Sequence, residues 1–190
     1  LGYDPRTVGV VLVFGPLTLA LVAPVAGSLS DRIGPRLLTF TGLSVAAVGL
    51  LCVRTLGPGS SIVDVIWRLV LTSLGSAIFV SPNSSSVMGS VSREELGVAG
   101  SVVALVRNLG MVCGVAVAGS IITTVQRTFT ATGEIGRGDV FKSLAFLAGL
   151  RAALLVCAGV AIFGALLAVL RVQPNARSQI PAGQAPHPAD

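Results

Sequence analysis

Apolar residues in this chain run in long blocks, and the charged residues sit between those blocks. A helix needs about 20 residues at ~1.5 Å each to cross a hydrocarbon core of ~30 Å. Five blocks meet or approach that length, at 8–29, 37–53, 62–80, 96–125 and 152–170. The first is uncharged and interrupted by Pro16 and Pro24, which permit it to bend. Its start is marked by Asp4 and Pro5, an N-cap followed by a first-turn proline. The third contains Asp64 and Arg68, and the fourth contains Arg107. The predicted architecture is an all-α, polytopic transmembrane helix bundle over 1–171.

The connections differ in kind. Residues 30–36 form a tight polar turn with Gly34-Pro35, so the first two spans make an antiparallel hairpin. Gly57-Pro58-Gly59 breaks the chain before the third span. Ser92-Arg93-Glu94-Glu95 opens the fourth as a capping box. Pro82 is expected to end the third span, with Asn83 and the serines beside it as a polar helix end. Residues 126–151 make the longest link, whose last part, 140–150, is expected at the membrane interface. The tail, 172–190, loses its apolar character, contains several prolines and is expected to be disordered.

Composition sharpens this picture. Of 190 residues, 53% are hydrophobic and only 11% charged, against about 25% charged in an ordinary soluble domain. A chain this apolar cannot cover a globule with charge. The net charge of +5 is therefore no sign of a nucleic-acid partner, and membrane lipid is the expected surrounding. Cys52, Cys113 and Cys157 fall in different blocks and are expected as small packing residues. The lone histidine, His187, lies in the tail. No metal site and no cofactor are expected, and a membrane-embedded enzyme lacks the clustered His, Asp or Glu it would need. The chain begins at Leu1 with no basic stretch before the first block, so no signal peptide is expected and the sequence reads as part of something longer. Basic residues do not orient it: Arg32, Arg36, Arg93, Arg171 and Arg177 fall on one side, Arg6, Arg54, Arg127, Arg137, Lys142 and Arg151 on the other.

Charges inside the bilayer usually face protein or a wet cavity. Arg107 lies about 17 Å along its helix from Leu96, near the midplane. At ~100° per residue it shares an arc with Gly100, Val103, Gly110 and Gly114. Those glycines are expected to pack against another helix, turning Arg107 and its neighbour Asn108 into the protein. On the third span, Asp64 and Arg68 are spaced for an i, i+4 ion pair, on one arc with Thr72 and Gly75.

Gly27, Leu29, Asp31, Arg32, Gly34 and Arg36 stand in the order G-x-L-x-D-R-x-G-x-R. That order resembles the signature loop of the major facilitator superfamily, which joins the second and third helices of each six-helix half on the cytoplasmic side. Pro35 replaces a usual basic residue. Pro82-Asn83-Ser84, Arg93-Glu94-Glu95-Leu96-Gly97 and Arg107-Asn108-Leu109-Gly110 are similar to the C-terminal half of fourteen-span drug:proton antiporters.

The resemblance implies five of the six helices of that half, the eighth to twelfth of the common core. It places the 30–36 loop and the tail in the cytoplasm at the cell membrane. It also implies that Gly27, Asp31, Arg32, Gly34 and Arg36 form a conformational switch, and that Asp64, Arg68, Arg107 and Asn108 are candidates for the cavity or for coupling. The implied partners are an N-terminal half, a small amphipathic substrate and protons. No carboxylate lies near a midplane in these spans, so either Asp64 titrates or that group is elsewhere. The alternatives are a non-transporting membrane scaffold and an inactive piece of a transporter.

Overall fold

The computed structural model describes residues 4–57, 59–131 and 139–170. Those residues form five long helices and one short 3-10 turn: α1 (Pro5–Ile33), α2 (Pro35–Arg54), α3 (Ile62–Met88), the 3-10 turn (Arg93–Glu95), α4 (Leu96–Ala131) and α5 (Asp139–Leu170). Each contains a stretch long and apolar enough to cross a membrane. No strand occurs among the described residues. The protein is an all-α, multi-pass membrane bundle. The 172–190 tail, His187, Pro58 and the 132–138 part of the long link lie outside the described residues.

Local chemistry sets most of the helix starts. The Asp4 carboxylate accepts the Arg6 N–H at 3.3 Å, with Pro5 at the first helical position. This meets one of the orphan donors that every helix N-terminus leaves. At α3, Ser61 Oγ accepts from the Val63 N–H, and the Asp64 carboxylate accepts the Ser61 N–H at 3.2 Å. At the 3-10 turn before α4, Ser92 donates to Glu95 Oε2 from its N–H at 3.3 Å and from its hydroxyl at 3.0 Å. Gly34 joins α1 to α2 in a single residue with φ +88° and ψ 146°, while its N–H donates to the Ser30 carbonyl at 2.9 Å.

Two expectations about helix limits need correction. Pro82 does not end α3, which continues through it to Met88 with Pro82 fully buried. The bonding a proline removes is outweighed here by the packing around its ring. The fifth span is longer than the 152–170 block as well, because α5 is one continuous helix from Asp139. Pro16 and Pro24 likewise lie inside a continuous α1.

The helices pack in the order α1, α3, α2, α5, α4. Thus α3 sits between α1 and α2, α2 reaches α5 on its other side, and α4 rests mainly on α5. The direct α1–α2 and α3–α4 contacts are slight. Most of the buried apolar residues are small, among them Ala46, Ala47, Ala77, Ala153, Ala158 and Ala165, with Leu38 and Val11 the larger exceptions. Small side chains let helices approach closely, and close approach supplies the dispersion contacts that lipid cannot better.

The tightest seam is between α2 and α3. A Cβ added to Gly42 would stand 2.6 Å from the Phe79 amide nitrogen, and one on Gly49 would stand 2.7 Å from the Thr72 Cα. Between them, a Cβ on Gly75 would lie 2.6 Å from the Ala46 Cα. Gly42, Ala46 and Gly49 thus form a one-sided stripe on α2 against which α3 lies backbone to backbone.

Candidate functional site

The 27–36 region is held at its α1 end. Gly27 faces α3, where an added Cβ would meet Ser81 Oγ at 3.0 Å, next to buried Pro82. Gly34 makes the reversal, and the flanking Arg32 and Arg36 are exposed. The side chain of Asp31 lies outside the described residues. The loop therefore offers two cationic side chains at one end of the bundle, on a hairpin whose α1 arm is braced against α3.

The Asp64–Arg68 ion pair is not formed. Asp64 is engaged instead in capping α3, and its other oxygen accepts from Trp67 Nε1 at 3.4 Å. Arg68 lies over the Trp67 ring, 4.9 Å from its centroid, while its Nε and Nη1 are buried without a hydrogen-bond partner. The spacing that suits a side-chain pair also suits a cap once serine stands three residues before the acid, and the cap prevails. Arg68 shares its helix face with Thr72 and Gly75, the face laid against α2.

Arg107 and Asn108 are exposed, and so are Gly110 and Gly114. Nothing lies within 4 Å of a Cβ added to either glycine, and one on Gly100 meets only Met88 Cε at 3.5 Å. The expectation that this face of α4 packs into the protein is thus not met by these five helices beyond Gly100. The physical reason is position: α4 is at the end of the row, with α5 on one side only.

The two candidate clusters are not brought together. The α3 end near Met88 meets the start of α4 near Gly100. Arg68 lies about 30 Å back along α3 from that point, whereas Arg107 lies about 10 Å forward along α4. The hydroxyls of Thr72 and Ser76 do not point to a ligand, since they donate to the Arg68 and Thr72 carbonyls of their own helix at 2.9 and 3.1 Å.

Two features escaped the sequence reading. One is the Gly42–Ala46–Gly49 stripe, visible as small residues at i, i+4 and i+7. The other is Arg151, whose Nη2 donates to the Leu56 carbonyl at 3.1 Å and ties α5 to the α2–α3 connection. No local signal predicts a bond across that much sequence. Among the described residues no group of three or more His, Cys, Asp or Glu could hold a metal ion. Cys52 is half-buried, while Cys113 and Cys157 are exposed on the outside of the bundle rather than packed within it.

Residues 1–189 match the profile of the Major Facilitator Superfamily. Over 113 residues, or 60% of this chain, it is 35% identical to the riboflavin transporter RibZ of Clostridioides difficile, of which that covers 25%. Over 121 residues, 64% of this chain, it is 31% identical to the multidrug resistance protein Stp of Mycobacterium tuberculosis, covering 22% of that protein. Over 128 residues, 67% of this chain, it is 27% identical to the multidrug efflux pump LfrA of Mycolicibacterium smegmatis, covering 25%. The matched region spans about a quarter of the length of these relatives. The chain belongs to the major facilitator superfamily.

Proposed function

We propose that this member of the superfamily is a C-terminal-half segment of a secondary transporter that exports drug-like or other amphipathic compounds at the cell membrane. The observation that carries the reading is Arg107. It stands exposed within an apolar helix, on a face that none of the other four helices covers. A guanidinium at that depth is several kcal/mol too costly to leave in lipid. Its face therefore looks onto further protein or a water-filled cavity. An N-terminal half, lying outside this sequence, would complete both.

In this reading the segment rocks against that half around a midplane site, giving alternating access. The 30–36 loop lies in the cytoplasm with the C-terminal tail, and Gly27, Asp31, Arg32, Gly34 and Arg36 latch that side in one state. Arg107 and Asn108 line the cavity. Gly100, Gly110 and Gly114 form the close-packing face beside them. Asp64 and Arg68 are the weaker candidates for proton coupling, because their arc faces α2, so the titrating carboxylate is assigned to the other half. The relatives named for riboflavin and for multidrug resistance support a carrier of amphipathic organic molecules.

The test is efflux from cells expressing the full-length protein. Arg107→Ala is expected to lower transport about tenfold, the equivalent of one lost charged contact of ~1.4 kcal/mol, with surface abundance unchanged and partial recovery in Arg107→Lys. Unchanged efflux in Arg107→Ala would remove the cavity assignment. Absence of any efflux by the full-length protein would favour a non-transporting scaffold.

A further inference from the structure

The C-terminal end of α2 collects arginines from three neighbouring helices. Gly42 meets Phe79 and Gly49 meets Thr72, so α2 and α3 run antiparallel in a register that sets Arg68 level with Val53. Side chains lean toward the N-terminus of their helix, which carries the Arg68 guanidinium further toward the α2–α3 connection. On the other flank an added Cβ on Gly164 would lie 3.4 Å from Leu43 Cδ1, and Arg151 donates to the Leu56 carbonyl. That register sets Arg54 opposite Ala153, two residues from Arg151. At ~100° per residue Arg54 shares its arc with Leu43 and buried Ala47, the face toward α5. Arg54, Arg68 and Arg151 therefore stand within about one helical turn of height, ~5 Å, around one helix end.

Their charge is not met within the bundle. Arg54 and Arg151 are exposed, and among the described residues none of the three forms an ion pair. Arg68 Nε and Nη1 are buried without a hydrogen-bond partner. The carboxylates that start α1 and α3 at this end, Asp4 and Asp64, accept the backbone N–H groups of Arg6 and Ser61 instead. At the other end Arg32, Arg36 and Arg93 stand with Asp31, Glu94 and Glu95. The excess of positive charge thus lies opposite the 30–36 loop.

Depth identifies what meets it. α2 has 20 residues, about 30 Å, the thickness of a hydrocarbon core. Its Arg54 end is therefore at the level of lipid headgroups. Trp67, exposed beside Arg68, suits that level, where tryptophan is enriched. Below Arg54 the outer face of α2 presents Leu51 and Val48, both exposed. A free anion would meet the charge and leave these apolar groups unused, whereas a phosphate carried on acyl chains meets both.

We propose that Arg54, Arg68 and Arg151, with Trp67 beside them, form a binding surface for anionic phospholipid in the leaflet opposite the 30–36 loop. The phosphodiester sits among the guanidiniums, whose forked N–H donors match phosphate oxygens. Its acyl chains run along α2 past Leu51 and Val48. Bound lipid relieves the repulsion between arginines on adjoining helices and so holds α5 to the α2–α3 pair. This placement rests on the multi-pass reading of the chain and not on any transport activity.

Lipid binding to the full-length protein in detergent tests this, followed by native mass spectrometry. The probes are phosphatidylglycerol, phosphatidylcholine and inorganic phosphate. Phosphatidylglycerol is expected to bind about tenfold more tightly than phosphatidylcholine, and phosphate is expected not to displace it. Arg54→Gln and Arg151→Gln should each weaken phosphatidylglycerol binding about fivefold, the usual worth of one basic residue at an anionic membrane surface. Arg54→Lys, which keeps the charge, should retain most of the affinity. Arg93→Gln, exposed at the other end, should leave it unchanged. Arg54 is exposed and its side chain holds nothing together among the described residues, so its replacement reads binding and not folding. Equal binding of the two lipids, displacement by phosphate, or undiminished phosphatidylglycerol binding in Arg54→Gln would each overturn the proposal.

Discussion

Gly75 of α3 and Ala46 of α2 meet backbone to backbone, so closely that a Cβ at position 75 would stand 2.6 Å from the Ala46 Cα. Neither backbone can yield without disturbing its whole helix. Gly75→Ala is expected to lower stability by about 1–3 kcal/mol, the usual range for forcing atoms into a filled interior. Gly9→Ala is the control, because nothing lies within 4 Å of a Cβ there and alanine favours a helix by up to ~1 kcal/mol over glycine. Thermal unfolding in detergent, followed through the single tryptophan Trp67, should show the two variants moving apart. Equal midpoints would mean the seam is looser than these distances imply.

At the α1–α2 junction the constraint is conformational rather than steric. Gly34 has φ +88° and ψ 146°, yet no neighbouring atom lies within 4 Å of an added Cβ. Gly34→Ala should therefore cost about 1–3 kcal/mol through backbone strain alone. A rise in protease cutting at the hairpin, with the helix content of the protein retained, is the expected signature. An unaltered digestion pattern would count against it.

The Ser92–Glu95 cap starts α4 where the chain leaves the 3-10 turn. Ser92→Ala removes the hydroxyl contact to Glu95, and loss of such caps costs typically ~1 kcal/mol. Amide exchange at 93–97 should speed up while exchange in the middle of α4 stays as it was. Faster exchange along the whole helix would show a cap with wider reach than its geometry suggests.

Arg151→Met keeps the length and apolar stem of the side chain and removes only the bond to the Leu56 carbonyl. That bond is exposed, which places its value at the low end for a charged hydrogen bond, about 1.5 kcal/mol. A small drop in unfolding midpoint should be accompanied by faster exchange in 55–61. If only the midpoint moves, the arginine stabilises α5 and does not anchor the connection.

The features legible in the sequence are those decided within one turn of chain. Asp4 with Pro5, Ser92 with Glu95, and Gly34 with Pro35 each act on neighbouring backbone groups, so spacing alone identifies them. Pro82 misleads because its local effect, a lost hydrogen bond, is outweighed by burial that spacing along one helix does not reveal. The Asp64–Arg68 spacing is legible too, but Ser61 competes for the same carboxylate.

Glycine periodicity shows a different failure. Gly42, Ala46 and Gly49 on α2 carry the same kind of stripe as Gly100, Gly110 and Gly114 on α4. A stripe says that a helix can be approached closely and is silent about what approaches. In these five helices α3 lies along the first, whereas the second is met only at Gly100.

The two seams on α3 have different consequences for movement. Against α2, glycine and alanine bring main chain onto main chain, so sliding would drive rigid atoms through one another. Against α1, Gly15 and Gly27 face the hydroxyls of Ser73 and Ser81, at 3.3 and 3.0 Å from an added Cβ, and a serine can change rotamer. One seam behaves as a weld and the other as a bearing. A shift within this bundle is therefore cheapest for α1, which carries the signature loop at its far end, while α2 and α3 travel as a single body.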